Sequence, residues 1–490
     1  MDMAIQERIP VLNPADDVQI GEIDAQSVAA VDLVVGRART AFPLWAAIPA
    51  HERARLLVDG ARNIAAHQEE LAELLVRENG KPYAQAFDEI ATGSRLFEKY
   101  GAEATRQYGR TIPGDAQPGT ETDLILTRRE PRGVLGAIIA FNSPIDLFSH
   151  KTAAALATGN VVIIKPAEDA PLTVIRTVEL LHEAGIPRDA LQVVTGYGTT
   201  VGAALAEHPG VDILSLTGST TAGTSVARAA AARLTPVMLE LGGNDALIVR
   251  PDADLSLAVE QAVFGRTLAN GQICCSNKRL IVHRDVADVF TRELVSALHG
   301  VRVGNPNTDR TVEMGPLIHS RAATLATTQV ARAVSQGAEV IAGTGVAEQN
   351  YFAPTVLTGV KPGTDVATDM EIFASVFPII SYNTDIEAIS IANDSRYGLN
   401  ASVFTTDIQA AVRVAHHLQV GTVSINATGL YRPDALAYGG RKYSGFGREG
   451  LEVSLEELTH TKNISIRNVI PIEPAGYPSY PNEEPGSLRS

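Results

Sequence analysis

Cysteine is nearly absent from this 490-residue chain: there are two, Cys274 and Cys275, side by side. Neighbouring cysteines can close only a strained disulfide, so no disulfide framework is expected, and a reducing, cytoplasmic setting is. Tryptophan occurs once, as Trp45, and aromatic residues make up only 5% of the chain. Long apolar runs are missing as well. The longest, Val134 to Phe141, is far shorter than the ~20 residues of a membrane helix. Met1 to Pro10 carries Asp2, Glu7 and Arg8 among its apolar residues, which does not read as a secretory h-region. A basic excess is lacking too: 41 Lys and Arg stand against 56 Asp and Glu, a formal net charge of −15. Such a surface repels phosphate backbones and anionic lipid, so neither nucleic acid nor a membrane is an expected partner. No internal repeat and no metal-ligand spacing is read.

What remains is the composition of a folded protein, 45% hydrophobic and 20% charged. Its length gives a prior of about three domains. Apolar spacing predicts helices over Ser27–Ala47 and over Glu52–Asn79, the latter stopped by Gly80, Lys81 and Pro82. Strands and helices then alternate. Strands are expected at 133–140, 160–164, 191–194 and 213–216, and helices at 151–157, 173–184 and 201–207. After Leu239 the pattern resumes, with a strand at 245–249, a helix at 255–265 and a strand at 280–283. Alternation at this spacing means βαβ units and a doubly wound parallel sheet, followed by a second α/β domain. Lys462 to Ile470 reads as an added strand, and 471–490, rich in Pro, Glu and Ser, as a surface arm or disordered tail.

Five segments carry residue types suited to chemistry. Cys274 and Cys275 follow Gly271-Gln272-Ile273 between a predicted helix and strand, where a loop can display a thiol; the alternative is a pair of buried small apolar residues. Glu240 is flanked by Leu239 and Leu241 and followed by Gly242 and Gly243. Desolvation there would raise its pKa and make it a usable base, whereas a surface carboxylate beside a turn is the plainer reading. Asn142, in Phe141-Asn142-Ser143-Pro144, follows a strand end, the ligand-binding side of open α/β sheets, or else forms a turn before proline. Lys165 and Glu168 follow the next strand. Such a pair can hydrogen-bond a ribose, and the carboxylate would repel a 2′-phosphate. Gly218 and Ser219 open a helix whose N-terminal amides attract phosphate, and Gly198 lies in a second glycine-bearing turn. Neither of these turns is a full dinucleotide fingerprint.

Together the five resemble the aldehyde dehydrogenase superfamily. Three C-terminal stretches add to the resemblance: Met370 to Phe373, Asn393 to Phe404, and Tyr438 to Glu449, the last similar to the family's F-G-G-x-K-x-S-G-x-G-R-E. The likeness runs from about Asn13 to Ile470. It implies Cys274 as nucleophile, Glu240 as general base and Asn142 as oxyanion donor, with Lys165 beside them and with Glu168 at the adenosine ribose. Gly198, Gly218, Ser219, Leu241, Gly242, Glu371 and Phe373 would complete the cofactor contacts, with NAD expected over NADP. It also implies a cofactor domain (1–110 and 132–240), a catalytic domain (241–443) and an oligomerisation flap (111–131 and 459–470), in a homodimer or homotetramer.

The chain departs from the family pattern around the expected substrate pocket. Ser143 stands where an aromatic is common, His150 where tryptophan is, and Arg432 near another usual aromatic. Ile273, Cys275 and Tyr438 are the remaining expected wall. His150 and Arg432 would supply positive charge for an aldehyde with an anionic or polar tail, such as a semialdehyde. The alternatives are a surface Arg432 and a neutral His150 with a neutral aliphatic or aromatic aldehyde, a CoA-acylating enzyme, and a silent binding homologue. Glu240, a hydrolytic base, argues against CoA, and intact Cys274, Glu240 and Asn142 argue against silence.

Overall fold

In the computed structural model, which describes residues 7–471, short apolar runs become strands and the amphipathic stretches around them become helices. Two sheets dominate. The first has the spatial order Gly445–Phe446, Val237–Glu240, Ile213–Thr217, Val134–Ile138, Val161–Lys165, Leu191–Val193. All its neighbours run parallel except the edge strand Gly445–Phe446, which lies antiparallel on Val237–Glu240. The second sheet has the order Glu339–Ala342, Thr355–Thr358, Val376–Tyr382, Asn277–His283, Asp245–Val249, Asn400–Phe404, Thr422–Ile425. It too is parallel, apart from its edge strand Glu339–Ala342. Helices cover both, so central strands such as Val161–Lys165 and Asp245–Val249 are buried at every residue. This is why they read as continuous apolar runs rather than as alternation.

A third, antiparallel sheet joins Thr459–Ile466 to Leu124–Pro131 and Thr111–Ile112. Thr459–Ile466 is its edge, exposed at every residue after Thr459. Gly445–Phe446 returns the chain to the first sheet after the second is complete, so C-terminal residues reach the edge next to Glu240.

Several expectations are corrected. Glu52–Asn79 is two helices, Ala50–Ala66 and Gln68–Asn79, broken at His67 (φ −110°). A further helix, Tyr83–Ala104, starts straight after the Gly80–Pro82 turn. The helix expected at 151–157 begins seven residues earlier, at Pro144, whose fixed φ suits a first helical turn. The helix expected at 201–207 opens with a wider turn over Gly198–Gly202. The added strand is Thr459–Ile466 rather than 462–470. The tail reading lies outside the described residues beyond Pro471. No helix among the described residues is long and apolar enough to cross a membrane.

Candidate active site

Four chemistry-bearing positions sit at the carboxyl ends of parallel strands in the first sheet, where such sheets bind ligands. Asn142 follows Val134–Ile138, Lys165 ends Val161–Lys165, Gly218 and Ser219 follow Ile213–Thr217, and Glu240 ends Val237–Glu240. The residues just after Glu240 enter the second sheet at Asp245, beside the strand that begins at Asn277. Cys274 lies three residues before that strand, so the two sheets meet around it.

The loop that carries Cys274 is held rather than loose. Ala269, Asn270 and Gly271 all have positive φ (47°, 60° and 79°), a costly run for non-glycine residues. Asn270 offsets the cost with its side chain: Nδ2 donates to the carbonyls of Gly80 (3.1 Å) and Pro316 (2.7 Å), and Oδ1 accepts from the Gly315 N–H (2.6 Å). Gln272 Oε1 accepts from the Ile318 N–H at 3.0 Å. Fully buried Arg266 donates to the carbonyls of Gly271, Val376 and Ile372 and to Ser276 Oγ.

A cavity of about 390 Å³ opens above this loop. Its wall includes Asn142, His150, Glu240, Ile273, Cys274, Cys275, Arg432, Tyr438 and Glu449, so the structure brings every expected substrate-wall residue and three of the four expected catalytic residues into one cavity. Lys165 is not on that wall: its Nζ lies 2.6 Å from Glu168 Oε2, among the expected cofactor contacts.

Cys274 Sγ lies 3.5 Å from the Tyr438 hydroxyl. Hydrogen bonding from the Cys275 thiol, opposed by burial and aided by Tyr438 and the Lys278 ammonium, lowers the Cys274 thiol to about 6. That shift favours the thiolate, the nucleophilic form. Cys275 shifts the other way, its pKa raised first by that same hydrogen bond and then by burial. Glu240 is 5% exposed, and its Oε2 has no partner among the described residues. Burial first, and then the charge of Glu449, push its pKa well above the ordinary carboxylate range.

Asn142 is aimed from behind. Lys81 Nζ donates to the Asn142 carbonyl at 2.9 Å and pairs with Glu89, both side chains being buried. Asn79 Nδ2 holds the Phe141 carbonyl at 2.7 Å. The Asn142 carboxamide itself makes no hydrogen bond among the described residues and is free to donate into the cavity.

Two readings of the pocket wall need correction. Arg432 is not on the surface: its side chain is 17% exposed, Nη2 donates to Glu449 Oε2 at 3.2 Å, and the guanidinium stacks 4.0 Å above the Tyr438 ring. Nor does His150 supply charge. Burial first, and then the Arg432 charge, lower its pKa to about 4, and its Nδ1 meets the Tyr100 hydroxyl at 3.2 Å. Against the upward pull of burial, Lys151 and Arg432 hold Glu449 ionised at about 2.

The expected dinucleotide residues form a second group. Gly198 N–H lies 3.5 Å from Glu168 Oε1, and a Cβ at Gly198 would sit 4.0 Å from Lys165 Nζ. Against burial, Lys165 keeps Glu168 below its ordinary pKa and therefore anionic. Ser219 caps the twelve-residue helix Thr220–Ala231, and the neighbouring Thr217 hydroxyl is buried without a partner. A Cβ at Gly242 would run into Glu371 Oε2, so a side chain there would have to displace the end of Glu371. Glu371 accepts from the Gly243 N–H (3.2 Å) and pairs with Lys278 (3.2 Å), and Phe373 packs edge-on to Phe141. An ionised carboxylate beside a lysine, a helix N-terminus and glycines at 198, 218 and 242 suit a dinucleotide. Leu241 differs: its side chain packs on Gly223, where a Cβ would lie 2.5 Å from Leu241 Cδ2.

Sequence reasoning missed Lys81, Glu89, Lys151, Arg266 and Lys278. A charged side chain beside a motif was the only signal for them.

The sequence pattern of the Aldehyde dehydrogenase family matches residues 2–464. The glutarate-semialdehyde dehydrogenase of Pseudomonas putida is 37% identical over 460 residues, 94% of each chain. The 3-sulfolactaldehyde dehydrogenase of Priestia aryabhattai is 36% identical, again over 94% of each. The NADP-dependent glyceraldehyde-3-phosphate dehydrogenase of Bacillus halodurans, solved with NADP, superposes with a TM-score of 0.91 at 37% identity, covering 94% of this chain and 96% of that one. Another solved structure with a TM-score of 0.90 holds NAD.

Proposed function

The chain belongs to the aldehyde dehydrogenase family and oxidises an aldehyde to a carboxylic acid, and on that premise we propose which residues carry the chemistry and what kind of aldehyde enters. The Cys274 thiolate attacks the aldehyde carbon. The S–C bond forms as the carbonyl π bond opens onto oxygen, and the Asn142 amide donates to the resulting oxyanion; one such donor is worth roughly 10²–10³ in rate. A bound nicotinamide dinucleotide would supply the hydride acceptor, so that the tetrahedral carbon loses hydride as its C=O bond re-forms and a thioester is left on Cys274. Lys165 and Glu168 hold its adenosine ribose, Gly218 and Ser219 its pyrophosphate, and Glu371 and Phe373 its nicotinamide end. Glu240 then takes a proton from water as the water attacks the thioester carbon. The C–S bond breaks, releasing the acid and the Cys274 thiolate. Glu168 favours NAD, since an anionic carboxylate accepts from a 2′-hydroxyl and repels a 2′-phosphate.

The substrate class we propose is an aldehyde with an anionic tail. Arg432 carries this reading: a buried guanidinium on the wall of the Cys274 cavity, with one nitrogen on Glu449 and donors to spare. The glutarate-semialdehyde and 3-sulfolactaldehyde relatives, whose names imply anionic substrates, lend it support. The test is NADH formation by Arg432→Ala with acidic and neutral aldehydes in parallel. Loss of a charge-assisted contact should lower kcat/KM for the acidic aldehydes about 10- to 100-fold relative to the neutral ones. An unchanged ratio would refute the anionic tail and favour a neutral substrate. The proposal includes a homodimer or homotetramer, joined through the exposed edge strand Thr459–Ile466, in a reducing cytoplasm.

A further inference from the structure

We propose that the Tyr438 hydroxyl is a catalytic hydrogen-bond donor to the Cys274 sulfur, holding it as thiolate before attack and receiving it as the leaving group when the thioester is hydrolysed. The family motif that this chain resembles begins with phenylalanine where Tyr438 stands, so the hydroxyl is a departure from that motif. That hydroxyl lies 3.5 Å from Cys274 Sγ, with the Cys275 thiol also within its reach. A buried tyrosine normally finds a partner for its O–H, and at 3% exposure Tyr438 has the nucleophile within reach.

The donor is fixed from two sides. Its backbone is locked to Glu449 by a reciprocal pair, Tyr438 N–H to Glu449 O at 2.7 Å and Glu449 N–H to Tyr438 O at 2.8 Å. Glu449 in turn carries Arg432, whose guanidinium covers the ring at 4.0 Å. A cation over the ring face draws electron density from it and makes the phenol a stronger donor. Burial, and then the negative charge of Cys274, keep the phenol protonated, so it gives the hydrogen bond and sulfur takes it. On attack the sulfur becomes a neutral thioether and a poor acceptor, and the bond weakens. When the C–S bond of the thioester breaks, negative charge returns to sulfur and the phenol meets it again.

The inference rests on Cys274 as the nucleophile, and the experiment separates the two ideas. Native protein and Tyr438→Phe, which keeps the ring and its stacking on Arg432, are alkylated with iodoacetamide from pH 4.5 to 9. Mass spectrometry locates the label. In Tyr438→Phe the midpoint of Cys274 labelling should rise by about one pH unit. Turnover near pH 6 should fall severalfold and recover as pH is raised, with KM little changed. A residue that only fills space would leave the midpoint where it is, and an unchanged midpoint overturns the proposal. Failure of native Cys274 to label at any pH would overturn the nucleophile assignment, and this inference with it.

Discussion

Replacing Lys81 with methionine should cripple turnover without removing a reacting group, because Lys81 connects a buried ion pair to Asn142, the proposed oxyanion donor. Lys81 and Glu89 have 4% and 7% of their side chains exposed. Breaking a buried pair by removing one partner typically costs about 3–5 kcal/mol. Here part is recovered, because Glu89 Oε1 also accepts from the Ile145 N–H at 2.9 Å, in the first turn of Pro144–Thr158. A helix N-terminus favours an anion by about 0.3–2 kcal/mol, leaving a loss of roughly 1–5 kcal/mol. Lys81→Met together with Glu89→Gln removes both charges, and most of that stability should return. Activity should not, since the Asn142 carbonyl still lacks its 2.9 Å donor and the loop can drift. A displacement of about 1 Å at such a site costs on the order of 10² in rate. Thermal melting and NADH formation measured on native, single and double variants separate the two effects. Native kcat in the double variant would refute the claim that Lys81 aims Asn142.

Two further outcomes follow from charges already described. Glu168→Ala removes the carboxylate expected to repel a 2′-phosphate, so kcat/KM with NADP should rise about tenfold relative to NAD; no change would place the discrimination elsewhere. His150, held at about 4, stays neutral in the fold while the unfolded chain protonates near its ordinary 6.5. A folded pKa below the unfolded one means that the unfolded state binds the extra proton between these values, so stability falls as pH drops from 6.5 to 4, by about 3 kcal/mol. His150→Asn should lose most of that acid sensitivity in urea titrations at pH 7 and pH 4.5. Equal sensitivity in both proteins would refute the assignment to His150.

The strands that build the first sheet were legible because burial on both faces leaves an almost unbroken apolar run, as in Val161–Lys165. The break at His67 was not, since neither glycine nor proline marks it and the apolar spacing of Ala50–Ala66 continues into Gln68–Asn79. At the site, Cys274, Glu240 and Asn142 were candidates by residue type and neighbours, each beside a plainer alternative, and only the resemblance to a family singled them out. Lys81 and Arg266 were not, because their work is done across the fold: Lys81 on Asn142, 61 residues on, and Arg266 on Ile372, 106 residues on. Arg432 sat between two readings for the same reason. Its partner Glu449 is seventeen residues away through irregular chain, and only the fold shows the pair closing over Tyr438.

That closure bears on how the tail and the nucleophile would communicate. Lys151 and Arg432 both pair with Glu449, and Asp146 lies 3.8 Å from the neutral His150, so a substrate tail would meet Arg432 as a guanidinium already shared with a carboxylate. An anionic tail engaging Arg432 competes with Glu449 for a guanidinium that also lies on the Tyr438 ring. The ring's hydroxyl meets Cys274, so the tail contact is two side chains from the attacking sulfur. Binding energy from a remote group can then be spent on orienting the reacting one rather than on holding the substrate. An aldehyde of similar size but without the negative tail would lose kcat as well as affinity, because without the tail Arg432 is left to Glu449 alone and the Tyr438–Cys274 contact keeps its resting geometry.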